Sequence, residues 1–94
     1  MTTAANNEKK NAMTTGKVSV RTIARHIKTM VHGIEQYNVE VSIKDVFSDV
    51  TIYPKGGKDE IHCVGDLVRI AEAYKCNYYV SYNRFDNRVE FVIF

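Results

Sequence analysis

NYYVSYNRFDNRVEFVIF, residues 77–94, reads as a β-hairpin. Apolar and polar positions alternate with a period of two on either side of Asp86-Asn87. That dipeptide favours the positive-φ conformations of a two-residue type I′ turn. With such a turn, Tyr82 stands opposite Phe91, Val80 opposite Ile93 and Tyr79 opposite Phe94. One surface of the hairpin then carries Tyr78, Val80, Tyr82, Val89, Phe91 and Ile93, which suits a core beneath it.

The same pattern occurs once more upstream. In NVEVSIK (38–44), Val39, Val41 and Ile43 alternate with Glu40, Ser42 and Lys44. In DVTIYP (49–54), Val50 and Ile52 alternate with Thr51 and Tyr53, and Pro54 ends the strand or marks an edge. A tight turn near Phe47-Ser48 joins the two. A shift of 39 residues lays 38–53 onto 77–92, with Asn38/Asn77, Val41/Val80, Ser42/Ser81 and Val50/Val89 identical. This is a weak internal repeat of hairpins.

Each hairpin follows a helix. Ser19 or Thr22 caps the first, and Val20, Ile23, Ile27, Met30, Val31 and Ile34 share one helical face. Gly33 falls one turn before its expected end near Tyr37. The second helix begins at about Asp66, its N-cap, and buries Leu67, Ile70, Ala71 and Tyr74. Between them, PKGGKDEIHC (54–63) has strong turn chemistry and is a loop or contains an extra short strand near 60–63. The order αββαββ predicts a two-layer α+β domain, a four-stranded antiparallel sheet with both helices on one face. LAGLIDADG homing endonucleases share that element order alone. Their glycine-rich helix motif, which ends in a metal-binding acid, has no counterpart in HGIEQY or AEAYKC, where these two helices end.

The chain of 94 residues is long enough for one such domain, assigned to residues 18–94. Residues 1–17 (MTTAANNEKKNAMTTGK) show no apolar periodicity and read as a disordered basic tail. No apolar run reaches the length of a membrane span, and no signal peptide is evident. With two cysteines and no export signal, a reducing cytoplasmic setting is expected, of a cell or of an infected host. Cys63 and Cys76 flank a helix and so stand roughly 18 Å apart at 1.5 Å per residue, too far to bridge.

No catalytic motif is present, and no enzymatic activity, cofactor, metal or small-molecule substrate is expected. GGK at 56–58 lacks the upstream glycine and the helix of a phosphate loop. His62 and Cys63 are neighbours in an extended segment, so their side chains diverge. His26 and His32, six apart on a helix, point in different directions and cannot share a metal.

Two surfaces remain. Residues 1–34 carry six basic residues against Glu8 alone, whereas residues 35–94 carry seven basic and ten acidic. Arg21, Arg25, Lys28 and His32 form a basic stripe with Lys17 upstream, a candidate nucleic-acid contact. The outer sheet face collects Tyr79, Phe85, Val92 and Phe94, with Tyr53 and Val46 from the first hairpin. Exposed apolar area of that kind marks a protein interface, so Tyr53, Tyr79, Phe85, Val92 and Phe94 are candidate contact residues. The expected function is that of a small binding or regulatory protein acting through protein–protein contact, as a homo-oligomer or homodimer. The alternatives are a nucleic-acid-binding module and a phage or mobile-element inhibitor of a host protein.

Overall fold

In the computed structural model, which describes residues 18–94, the Ser19 hydroxyl accepts the Arg21 N–H at 3.1 Å and starts α1, Val20–Met30. The segment 1–17, expected as a tail, lies outside the described residues. Ile23, Ala24 and Ile27 form the buried face of α1. The helix stops well short of the predicted Tyr37. Val31 turns extended and Gly33 adopts a left-handed φ of 80°. Glycine occupies that region without the Cβ penalty, so it breaks the helix instead of lying within it. A 3₁₀ turn, Ile34–Gln36, leads directly into β1, Tyr37–Ile43.

β1 pairs antiparallel with β2, Ser48–Pro54, along its whole length, from Tyr37 against Pro54 to Ile43 against Ser48. Lys44 closes the connection by donating its N–H to the Phe47 carbonyl at 3.1 Å. Residues 55–63 form a loop without the extra strand, bent by Gly56 and Gly57 at φ 68° and 72°. It is tied back where the Tyr37 hydroxyl accepts the His62 N–H at 2.8 Å.

α2 spans Val64–Ala73 and begins a little before the predicted Asp66. Cys63 takes the cap position, its carbonyl accepting the Leu67 N–H at 3.0 Å. Asp66 lies in the first turn and pairs with Arg69. The helix ends in a Schellman arrangement: Cys76 N–H reaches Ala71 O at 2.8 Å, and Lys75, at φ 58°, reaches Glu72 O at 3.0 Å.

The second hairpin comprises β3, Tyr78–Asn83, and β4, Arg88–Ile93. It closes through a longer turn than predicted, spanning residues 84–87. The Asn83 side chain accepts the N–H groups of Phe85 and Asp86 at 3.0 and 3.1 Å, which favours this turn over a two-residue one. Register therefore slips by two from the expected pairing. Tyr82 faces Val89, Val80 faces Phe91 and Tyr79 faces Val92. A slip of two preserves the face of every side chain.

The sheet order is β1-β2-β4-β3, so both second strands are central. Val50, Ile52, Phe91 and Ile93 of those strands meet Ile23 and Ile27 of α1 and Leu67 of α2 in one core, all fully buried. The α+β architecture, with its four-stranded antiparallel sheet and two helices, is the one expected. α1 packs over β1 and β2. Tyr78, Val80 and Tyr82 on β3 face the helix side yet remain 40%, 52% and 55% exposed.

Candidate protein-binding edge

The outer face of the sheet is divided between two kinds of chemistry. At one end Arg88 lies over the Tyr53 ring, its guanidinium carbon 3.6 Å from the centroid, and donates through Nε to Glu90 at 2.7 Å. Its Nη2 approaches both Glu40 and Asp86, at 3.9 and 3.8 Å. The Tyr53 hydroxyl donates to Glu40, and Asn83 donates to Glu90 at 3.1 Å. One guanidinium thus joins residues of β1, β2 and β4, and β3 is tied in through Asn83 and Glu90. The hydrogen bond to Glu40, followed by burial and the Glu40 charge, pushes the Tyr53 phenol above its ordinary value. Partial burial works against the Arg88 charge, but the Glu90 hydrogen bond and the surrounding negative groups raise its pKa overall.

At the other end, the rings of Phe47, Phe94 and Tyr79 form a row with 5.6 Å between successive centroids. The five residues expected as an apolar interface are therefore not one patch. Tyr79 and Phe94 touch, as offset neighbours and not as a directly opposed pair. Val92, opposite Tyr79, is only 4% exposed. Tyr53 is taken up under Arg88, and Phe85 stands alone on the β3–β4 turn. Val46 lies in the exposed β1–β2 connection. Glu40 and Glu90, on the same face, are the partners of Arg88.

On α1, Arg21, Arg25 and Lys28 are exposed, and none has an ion pair among the described residues. His32 is exposed too, but it falls in the turn after the helix and leaves the stripe. Lys17 lies outside the described residues. His26 is half-buried, with Nδ1 2.7 Å from the Tyr74 hydroxyl and the two rings edge to face.

The Cys63 thiol is free and does not bridge to Cys76. Burial above all raises the Cys63 thiol pKa, with the Asp66 charge adding to it, so the sulfur stays protonated near neutrality. His62 is directed to solvent beside Glu60. Among the described residues, no three His, Cys, Asp or Glu side chains gather as a metal site. No helix among them is long and apolar enough to cross a membrane.

β3 is the remaining surface. Asn77 and Phe94 exchange both backbone hydrogen bonds, at 2.8 and 2.9 Å. Antiparallel alternation from that pair commits Tyr79, Ser81 and Asn83 to the β4 ladder. It turns the N–H and C=O of Tyr78, Val80 and Tyr82 outward, to the open edge. The same three residues carry exposed apolar side chains on the helix side, while Tyr79, also exposed, stands on the outer face. Two are already held in position: the Tyr78 ring stacks on Phe91 at 5.5 Å, and the Tyr82 hydroxyl donates to Asn87 at 2.9 Å.

The chain matches no protein-family model, no curated protein and no solved structure.

Alternation placed Tyr78, Val80 and Tyr82 correctly on the helix side, but that side is open at β3. The sequence does hold one signal for this edge: YYVSYN contains neither a charged residue nor a proline.

Proposed function

We propose that this protein works by contact, taking up a β-strand from a protein partner along the open edge of β3. The observation that carries the reading is the coincidence, at Tyr78, Val80 and Tyr82, of outward backbone groups and exposed apolar side chains. Edge strands are commonly blunted by lysine, proline, a bulge or an inward charge. β3 has no such residue and pairs with β4 without a bulge. Strand addition draws its affinity from those backbone groups and its selectivity from alternate side chains.

The test is a photoreactive phenylalanine analogue at Tyr82, used in cells that make the protein. It should yield a discrete protein adduct. Adding Val80→Pro should abolish that adduct, because it removes an outward N–H and leaves the β4 ladder intact. No adduct, or one that survives Val80→Pro in a folded chain, overturns strand addition.

A second reading has one observation in its favour, the basic face of α1, which has no ion pair among the described residues. Arg21, Arg25 and Lys28 would neutralise phosphates of a nucleic-acid backbone. Three such contacts give a log–log salt slope of about −3. Charge reversal at the three positions should weaken binding to all sequences alike. Absence of binding to DNA and RNA at about 50 mM salt, where backbone contacts are strong, removes this reading.

A further inference from the structure

Resting on the strand-addition reading, we infer that the strand taken up is β3 of a second copy of this chain, paired antiparallel about a two-fold axis at Val80. The backbone sets this register. Only Tyr78, Val80 and Tyr82 offer outward N–H and C=O groups, and hydrogen bonding requires outward residues to face outward residues. Centring the axis on Val80 brings Val80 opposite its own copy and Tyr78 opposite Tyr82 of the second copy. Every outward group then finds a partner. Moving the register by one sets outward groups against inward ones, and moving it by two strands part of the edge.

Charge favours the same arrangement. In a two-fold pairing, a charged residue near the axis meets its own like charge. Tyr78–Asn83 contains none. The other edge of the sheet, β1, differs on this point. Its middle residue is Glu40, and antiparallel pairing of Tyr37–Ile43 over its whole length places Glu40 directly opposite its own copy. Glu40 is moreover already engaged by Tyr53. The two edges are thus unequal, and β3 is the self-complementary one.

Side chains complete the match. Tyr78, Val80 and Tyr82 of both copies would lie on the helix side of one continuous sheet of twice four strands. Their apolar surface, exposed in the single chain, would form one strip across the axis. Stacking of Tyr78 on Phe91 and the Tyr82–Asn87 hydrogen bond hold the tyrosines before a partner arrives, which lowers the ordering cost of binding.

The experiment uses the full chain in analytical ultracentrifugation at about 100 µM, a concentration that populates micromolar complexes. The unaltered protein should sediment as a dimer. Val80→Lys and Val80→Glu should each sediment as monomers, and their equimolar mixture should recover the dimer, because the axis sets residue 80 against itself. Folding of both variants is checked by circular dichroism. A measurement without variants stands beside it: a mixture of isotope-labelled and unlabelled wild-type chains should give an intermolecular NOE between Val80 methyl groups. A monomeric wild type, a mixture of folded variants that stays monomeric, or a dimer without that NOE overturns the inference. If the wild type is monomeric while the Tyr82 adduct still forms and is lost with Val80→Pro, only the identity of the partner is wrong.

Discussion

Ile52 and Phe91 face each other at the centre of the sheet, and they are also counterparts in the internal repeat: the 39-residue shift that aligns the two hairpins carries position 52 onto position 91. A residue that pairs with its own repeat counterpart lies on the axis relating the two repeats. Both side chains are fully buried. Truncation there should be costly from either hairpin, with Phe91→Ala losing about 3–5 kcal/mol and Ile52→Val about 0.5–1.5 kcal/mol. Because the two residues are direct neighbours, Ile52→Val and Phe91→Leu should be non-additive in urea denaturation, with a coupling of at least about 0.5 kcal/mol.

Two left-handed residues make opposite predictions. Gly33 has φ 80° and open space where a Cβ would stand, so Gly33→Ala meets a backbone penalty alone. It should destabilise by about 1 kcal/mol. Lys75 already bears that penalty at the end of α2, with φ 58°. Lys75→Gly should therefore stabilise by about 0.5–1 kcal/mol, the gain from strain relief exceeding the added freedom of the unfolded chain. Thermal melts of both variants check the signs. Equal signs would refute the assignment of these turns.

Arg88 is the hub of the outer face, and its side chain is 23% exposed beside a Glu90 that is 12% exposed. Arg88→Met keeps most of the stem but leaves Glu90 without its charged donor, and it should cost about 1.5–3 kcal/mol. Arg88→Lys retains charge but loses planar stacking on Tyr53 and the fixed Nε geometry, so an intermediate cost of about 1 kcal/mol is expected. In the Tyr53→Leu background the penalty of Arg88→Lys should shrink. An unchanged penalty would show that stacking contributes nothing.

The Tyr53 phenol should be visible in alkaline titration. Its pKa is raised above 10.0, first by the hydrogen bond to Glu40 and then by burial and charge. A group with a raised folded-state pKa contributes stability that is complete below its unfolded value and is lost as pH rises through the folded one. The loss therefore begins near pH 10 and continues upward. Tyrosinate absorbance should show one late-titrating tyrosine that Tyr53→Phe removes. The same variant should lose less stability over that alkaline range than the wild type does.

Much of this architecture was legible before any tertiary contact was known. Alternation in 38–54 and 77–94 assigned the strands and the face of each side chain, and two candidate caps, Ser19 and Thr22, marked the start of α1, of which the structure uses Ser19. These are local properties: a period of two, a cap hydroxyl and a helical stripe act through neighbouring residues. The end of α1 is not legible in the sequence, because Gly33 fits either inside a helix or in a left-handed turn, and the chain around it decides which. The β3–β4 register depends on the Asn83 side chain bonding the amides two and three residues on, a local choice made upstream of Asp86-Asn87 that the dipeptide alone does not express.

Only the tertiary structure decided which faces are covered. Period-two patterning assigns Tyr78, Val80 and Tyr82 to the helix side, but coverage depends on where the helices dock, and α1 packs over β1 and β2. The outer face was decided in the same way: Glu40, Tyr53, Arg88 and Glu90 are scattered along the sequence, and strand order β1-β2-β4-β3 brings them around one guanidinium. A sequence sets the side of the sheet on which a residue stands. Packing sets whether that side meets protein or water, because burial depends on elements distant along the chain.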